Sequence, residues 1–145
     1  MKSHPLCRVC LSVALFAGIA TGQALAEPKG VWLAKDGALV LVNSCGNGLC
    51  GTIIKAASQL DPSTGRAWTD KNNPDPNKRN RPLVGVQVLS SMMPSGPGKW
   101  SGSLYNADDG NTYLGNLIEV DAKTIRVEGC GALNICDGEN LSRIK

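Results

Sequence analysis

The sequence predicts an all-β domain built as an eight-stranded antiparallel up-and-down barrel, with a two-sheet β-sandwich as the alternative. Short apolar segments alternate with turn signals along most of the chain, and no stretch combines helical periodicity with capping residues. Four cysteines follow residue 26, and an even number of cysteines in an exported chain is typical of disulfides. Many short strands joined by hairpins therefore indicate one small β-domain over residues 27–145.

Eight segments have the residue composition of strands. In chain order they are residues 31–34, 38–43, 51–57, 83–90, 99–105, 112–120, 124–128 and 140–144. Pairs such as Asp36-Gly37 between them are strong signals for tight hairpins. In the fourth segment, valines at alternate positions place Gln87 with Leu89 on the opposite face, which we expect to be the interior of a closed barrel. Gln87 would then be either a satisfied polar group of the core or a ligand contact.

Residues 1–26 have the pattern of a secretory signal peptide. Lys2 and Arg8 come first, an apolar run of about ten residues follows, and Ala24 and Ala26 form a cleavage site before Glu27. The apolar run is too short to span a bilayer. We therefore expect an exported protein, periplasmic or secreted, with no membrane span.

Charge and histidine content exclude several kinds of chemistry. Loss of Lys2 and Arg8 leaves acidic and basic side chains nearly balanced, so nothing favours a nucleic-acid partner. The single histidine, His4, lies in the signal segment. The remaining chain has no Ser-His-Asp or Cys-His pair and no histidine to ligate a metal, so we expect no cofactor and no metal site.

The four remaining cysteines are expected to form two local disulfides, Cys45–Cys50 and Cys130–Cys136. Each pair brackets a glycine-containing loop that lets two strand ends approach to disulfide distance. Two other connectivities stay open. A four-thiolate zinc site is the functional alternative, which an oxidising compartment disfavours.

Residues 58–82, here called the crossover, interrupt the strand pattern with prolines and mixed charges. Long non-repetitive loops in compact domains are usually functional or disordered. One interpretation is an ordered surface segment in which Asp70, Arg79 and Arg81 pair with one another. The other is a rim in which one arginine neutralises Asp70 and the second holds an anionic group, because guanidinium groups bind carboxylates and phosphates bidentately.

Several motifs together resemble one bacterial family. They are Gly30-Val31-Trp32, Asn73-Pro74-Asp75-Pro76, Arg79-Asn80-Arg81-Pro82-Leu83-Val84-Gly85 and Lys99-Trp100-Ser101-Gly102. This pattern resembles the exported bacterial family named Domain of Unknown Function 2147. The resemblance implies a lipocalin-like barrel over essentially all of residues 27–145, and it implies no known activity.

The opening Gly-x-Trp is also similar to that of lipocalins at large. The resemblance implies that Trp32 closes one end of the barrel beneath Arg143 of the last strand, in a cation–π stack. The chain departs from the family near its end, where Leu141-Ser142-Arg143 replaces a tryptophan-containing stretch. Closure by the last strand is therefore the part of the resemblance that the sequence supports least.

Three functions are compatible with these features. The first is a module that binds a small, partly apolar molecule, because an eight-stranded barrel can enclose one small ligand. An amphipathic or anionic ligand is expected, and the candidate binding residues are Asp70, Arg79, Arg81, Gln87, Trp100, Tyr105 and Tyr113. The second is an envelope module that binds another protein through the crossover or a sheet edge. The third and least favoured is a histidine-independent enzyme, for which no spacing of carboxylates identifies an acid–base pair.

Overall fold

Turn residues divide the chain into short strands, and each strand pairs with the next one in the sequence. A computed structural model describes residues 27–145, in which eight antiparallel strands pair in chain order and the first pairs with the last. The strands are β1 (Gly30–Leu33), β2 (Leu39–Cys45), β3 (Gly48–Lys55), β4 (Gln87–Gly96), β5 (Lys99–Asn106), β6 (Asn111–Asp121), β7 (Thr124–Cys130) and β8 (Cys136–Arg143). The predicted up-and-down barrel is confirmed over the sandwich alternative, whereas the signal segment lies outside the described residues.

The largest boundary differences concern β4 and β8. The sequence places the fourth strand at residues 83–90, but Gly85 turns with a φ of 97° and Val84 is 52% exposed. The strand begins at Gln87 and continues through Pro94, past a register shift between Ser90 and Met93 that is typical of a β-bulge. The eighth strand begins earlier than predicted, since pairing with β7 extends into a polar stretch that carries little strand signal.

One end of the barrel, here called the closed end, is filled with side chains. Nine buried apolar residues form the core cluster there: Trp32, Val40, Val42, Leu49, Leu89, Met92, Leu117, Ile125 and Leu141. The indole Nε1 of Trp32 donates a hydrogen bond to the carbonyl oxygen of Pro28 at 2.8 Å. The guanidinium of Arg143 lies 4.2 Å from the centroid of the Trp32 ring, the geometry that the lipocalin resemblance implied. Two residue pairs, Trp32 with Arg143 and Leu33 with Ser142, join β1 to β8.

The opposite end, here called the open end, carries the β1–β2, β5–β6 and β7–β8 turns together with the crossover. The crossover lies outside the regular sheet and contains two isolated bridges, Asp61 with Arg66 and Thr69 with Pro82. Two short 3₁₀ turns, Pro76–Lys78 and Ala132–Asn134, are the helical elements of the described residues. Between residues 27 and 145, no helix is long and apolar enough to cross a membrane.

Both local disulfides are present, one at each end of the barrel. Cys45–Cys50 joins β2 to β3 at the closed end, and Cys130–Cys136 joins β7 to β8 at the open end. Ligand atoms of Glu128, Cys130 and Cys136 lie within 4.8 Å of one another, but the two sulfurs are bonded to each other. This group therefore does not provide a pair of thiolates for a metal ion.

Candidate ligand cavity at the open end

The interior is hollow at the open end because inward positions there carry small or polar residues. Along β7 the inward residues run from Ile125, which is buried, to Gly129 at the cavity. Along β8 they run from buried Leu141 to Asp137. The space left by this change from large to small or polar side chains is a cavity of about 960 Å³.

The cavity combines an apolar floor with walls from the crossover. Val40, Leu89, Leu104, Val127 and Leu141 form the apolar lining where the cavity meets the core. Trp68 of the crossover and the adjoining Leu83 add apolar surface at one side. The lining is thus suited to the apolar part of a small molecule, and its volume lies within the usual range for ligand sites.

Carboxylates dominate the charged residues that line the cavity. Among the lining residues within 27–145, five are acidic and Lys35 alone is basic. The acidic residues are Asp36, Asp108, Asp109, Asp137 and Glu139. All five are exposed, so they form a solvated acidic rim around an apolar interior.

Backbone and side-chain donors hold rim carboxylates in place, as Asp109 and Glu139 show. The hydroxyl of Tyr113 donates to Oδ2 of Asp109 at 2.6 Å, and the backbone N–H of Asn111 donates to Oδ1 at 2.8 Å. The bond from Tyr113 and then the bond from Asn111 lower the pKa of Asp109. Oε2 of Glu139 accepts the backbone N–H of Lys35 at 2.9 Å, where β1 and β8 have separated.

A buried network, here called the clamp, fastens the crossover to the barrel. Asp70 is fully buried, and its Oδ2 accepts hydrogen bonds from Arg81 Nε at 2.9 Å and Asn73 Nδ2 at 2.7 Å. Arg81 Nη2 lies 2.7 Å from the same oxygen. The hydroxyl of Tyr105 on β5 donates to Oδ1 at 2.5 Å. The clamp therefore ties the middle and the end of the crossover to the wall of the barrel.

Opposing effects act on the ionisation of Asp70. Burial by itself raises its pKa, while hydrogen bonds from Tyr105, Asn73 and Arg81 and the positive charge of Arg81 lower it. The net pKa is lower than usual, so the carboxylate stays charged at neutral pH. Burial and the bond to Asp70 raise the pKa of Tyr105. This charge state makes Asp70 a structural anchor of the crossover.

The structure separates the seven predicted binding residues into three groups. Tyr105 and Tyr113 line the cavity. Asp70 and Arg81 belong to the clamp, and Nε of Arg79 donates to the carbonyl oxygen of Asn73 at 2.8 Å, so these three lie outside the cavity lining. Arg81 is thus the arginine that neutralises Asp70, Arg79 does not pair with it, and binding of an anionic group by Arg79 stays a prediction.

The remaining two residues also lie away from the cavity. Trp100 packs against the core cluster. Gln87 is exposed, and its amide donates to Sγ of Cys50 at 3.3 Å, so the expectation that it faces the interior is wrong. A register shift pairs Gln87 with Thr52 but Leu89 with Gly51. This irregularity turns Gln87 and Leu89 to opposite faces, although simple alternation places them together.

The acidic rim was missed by reasoning from the sequence alone. Asp36 is noted there only as part of a hairpin turn, and Asp108 and Asp109 receive no predicted role. Asp137 and Glu139 lie at positions that the sequence did not assign to a strand. Alternation backward from buried Leu141 would have placed both of them on the inward face.

A closed up-and-down barrel with one filled end and one open cavity has a lipocalin-like fold. A family model described as "Uncharacterized protein conserved in bacteria (DUF2147)" matches residues 30–143, and the chain belongs to this family. A similar solved structure is described as "Protein HP1028 from the human pathogen Helicobacter pylori belongs to the lipocalin family". Its TM-score is 0.67 at 22% identity, with 82% of this chain and 84% of that chain covered. This likeness concerns the fold. No curated protein matches the chain.

Proposed function

We propose that this protein binds a small, partly apolar molecule in the open-end cavity, as an exported protein of the bacterial envelope or extracellular space. The observation that carries this proposal is the cavity itself, about 960 Å³ in volume, with an apolar floor and a polar rim. Such a combination is characteristic of small-molecule sites. Had the interior been filled at both ends, binding to another protein would be the better proposal.

The architecture around the cavity supports binding without large rearrangement. The clamp fixes one wall, and the Cys130–Cys136 disulfide fixes the turn on another side. A preformed site loses less free energy on binding because fewer groups must be ordered. The two disulfides also support export, since disulfides persist in oxidising compartments.

Binding is favoured over catalysis by the state of the carboxylates. A general acid or base works best with a pKa near the operating pH. The pKa values of Asp70 and Asp109 are instead lowered by their hydrogen bonds, and Asp70 is buried within the clamp. The proposal of an envelope interaction module stays a prediction, for which exposed Leu133 and Ile135 at the β7–β8 turn are the candidate contacts.

The test is binding of a neutral apolar dye, N-phenyl-1-naphthylamine, followed by its fluorescence. Ala38→Trp places a bulky side chain in the cavity lining, whereas Val120→Trp adds the same side chain at an exposed position on β6. We expect dye binding by the parent and by Val120→Trp, with loss in Ala38→Trp. If thermal melts show that Ala38→Trp is unfolded, Ala132→Trp at the exposed mouth serves the same purpose. Absence of dye binding to the folded parent, or equal binding by all variants, would contradict the proposal.

A further inference from the structure

The open-end cavity has a strongly one-sided set of charges. We infer that its ligand is an organic cation with an apolar part, which enters the cavity while the positive group stays at the acidic rim. This inference rests on the proposed function, because the cavity is the site and the carboxylates determine only the charge of its occupant. It also reverses the expectation of an anionic ligand that was drawn from Arg79 and Arg81.

Two of the carboxylates are directed inward by the strand register. Ile125 on β7 pairs with Leu141 on β8, and both are buried in the core cluster. Glu139 and Asp137 are two and four residues before Leu141, and alternation along β8 places them on the same inward face. Both line the cavity, which they border from the floor toward the mouth.

The β5–β6 turn and the start of β6 present another carboxylate next to an aromatic ring. Asp109 accepts the hydroxyl proton of Tyr113, and both residues line the cavity. Tyr105 adds a second aromatic ring to the lining. Aromatic faces attract cations through the quadrupole of the ring, so aromatic groups and carboxylates here favour the same sign of ligand charge.

The basic residues near this end are largely engaged elsewhere. Arg81 is bound to Asp70 within the clamp, and Arg79 donates to the carbonyl oxygen of Asn73. Lys71 lies over the Trp68 ring and pairs with Asp61 at 3.6 Å. Among the described residues that line the cavity, Lys35 alone opposes the five carboxylates.

The rim is exposed to water, and this limits the size of the effect. Charges in water are screened over about 10 Å at 0.1 M salt, so only the nearest carboxylates act strongly on a ligand. Summed over several carboxylates, the expected preference for a cation over an anion of equal apolar size is roughly tenfold at low salt. The preference should decrease as salt is added, because screening weakens exposed charges.

The test compares three amphiphiles with the same alkyl chain, each below its micelle concentration. Octyltrimethylammonium is the cation, octyl glucoside the neutral molecule and octyl sulfate the anion. Each displaces N-phenyl-1-naphthylamine from the folded, disulfide-bonded protein, and isothermal titration calorimetry measures the same binding without dye. We expect the cation to bind most tightly and the anion most weakly, with added salt reducing affinity for the cation but not for the neutral molecule.

A variant in which two rim carboxylates become amides tests whether the rim causes the preference for a cation. Asp137→Asn with Glu139→Gln removes two inward charges and keeps an oxygen to accept each backbone N–H. We expect roughly fivefold weaker binding of the cation with little change for octyl glucoside. The matched control, Glu27→Gln with Asp121→Asn, removes two carboxylates that do not line the cavity and should leave all three affinities unchanged.

The outcomes separate this inference from the proposed function. If the dye binds but the three amphiphiles displace it equally, or octyl sulfate binds best, the cation inference is wrong while a ligand cavity remains. If the control substitutions weaken binding of the cation as much as the rim substitutions do, the rim does not cause the preference for a cation. The inference is then again wrong. If neither the dye nor any amphiphile binds, the proposed function fails and the inference fails with it.

Discussion

The closed and open ends of the barrel are built from the same strands, yet one is a core and the other a cavity. β7 contributes Ile125 to the core and Gly129 to the cavity, and β8 contributes Leu141 and then Asp137. The same strands run through both ends, and side-chain volume and polarity account for the difference between core and cavity. Packing stabilises the closed end, the clamp supports the open end, and each end carries one disulfide. Because the core and the cavity lie at different ends, substitutions in the cavity lining should cost less stability than substitutions in the core.

The largest expected effect comes from truncating the centre of the closed end. Trp32→Ala should lower the free energy of unfolding by about 3–5 kcal/mol, because the lost side chain leaves a void among packed neighbours. Leu104→Ala at the cavity should cost less, about 2 kcal/mol, since Leu104 already borders open space. Urea unfolding with intact disulfides measures both. Equal losses would show that the two ends do not differ as described.

The clamp should be the main support of the open end. Asp70→Asn should cost about 3 kcal/mol, because it removes the buried carboxylate that accepts hydrogen bonds from Arg81, Asn73 and Tyr105. Arg81→Ala should cost a similar amount, because it leaves the buried Asp70 carboxylate without its cationic partner. Arg79→Ala should cost less, because Arg79 donates to a backbone carbonyl rather than to Asp70. Thermal melts compare the three variants, and a larger loss in Arg79→Ala than in Arg81→Ala would contradict the assignment.

Acid should weaken the open end through the same carboxylate. The pKa of Asp70 is lowered in the folded protein, so its stabilising contribution is present above the unfolded value of about 4 and is lost as pH falls below it. The raised pKa of Tyr105 means that its contribution is lost as pH rises beyond about 10. Stability measured against pH should fall less steeply in acid for Asp70→Asn than for the parent. If Asp70→Asn and the parent lose stability equally as pH falls, other carboxylates cause the loss.

The contact between the crossover and the β5–β6 turn should tolerate no side chain at Gly110. Gly110 has a φ of 74°, and a Cβ there would collide with the carbonyl oxygen of Asn72. Gly65 has a similar φ of 65° but open space around it, so it is the matched control. Gly65→Ala should cost about 1 kcal/mol from backbone strain, and Gly110→Ala at least about 2 kcal/mol. Similar losses in chemical denaturation would mean that the crossover does not pack tightly here.

The smallest expected effect is a gain in stability at the tip of the open end. Leu133 is 91% exposed and has a φ of 60°, a conformation that leucine adopts reluctantly. Leu133→Asn should stabilise the protein by about 0.5–1 kcal/mol, because asparagine tolerates this conformation. Leu133→Ala is the control that also removes the apolar side chain but keeps the strain. If both variants have the same melting temperature, the turn is not strained by its side chain.

The sequence by itself determined the features that depend on local signals. Glycine and aspartate turns, alternating apolar residues and paired cysteines act within a few residues, so they predict the eight strands and the two disulfides. Prolines cannot donate to a strand ladder, which places the crossover outside the sheet. The family resemblance added the stack of Arg143 on Trp32. These expectations all appear in the structure.

Only the tertiary structure decided which residues face the cavity. Facing depends on register, and a one-residue irregularity reverses every following side chain, as the opposite faces of Gln87 and Leu89 show. The tertiary structure also pairs Asp70 with Arg81 rather than with Arg79. The hollow end depends on volumes summed around eight strands, and the acidic rim on turns brought together by barrel closure. The cavity and the acidic rim both depend on residues that are far apart in the chain. No local sequence pattern therefore predicts them.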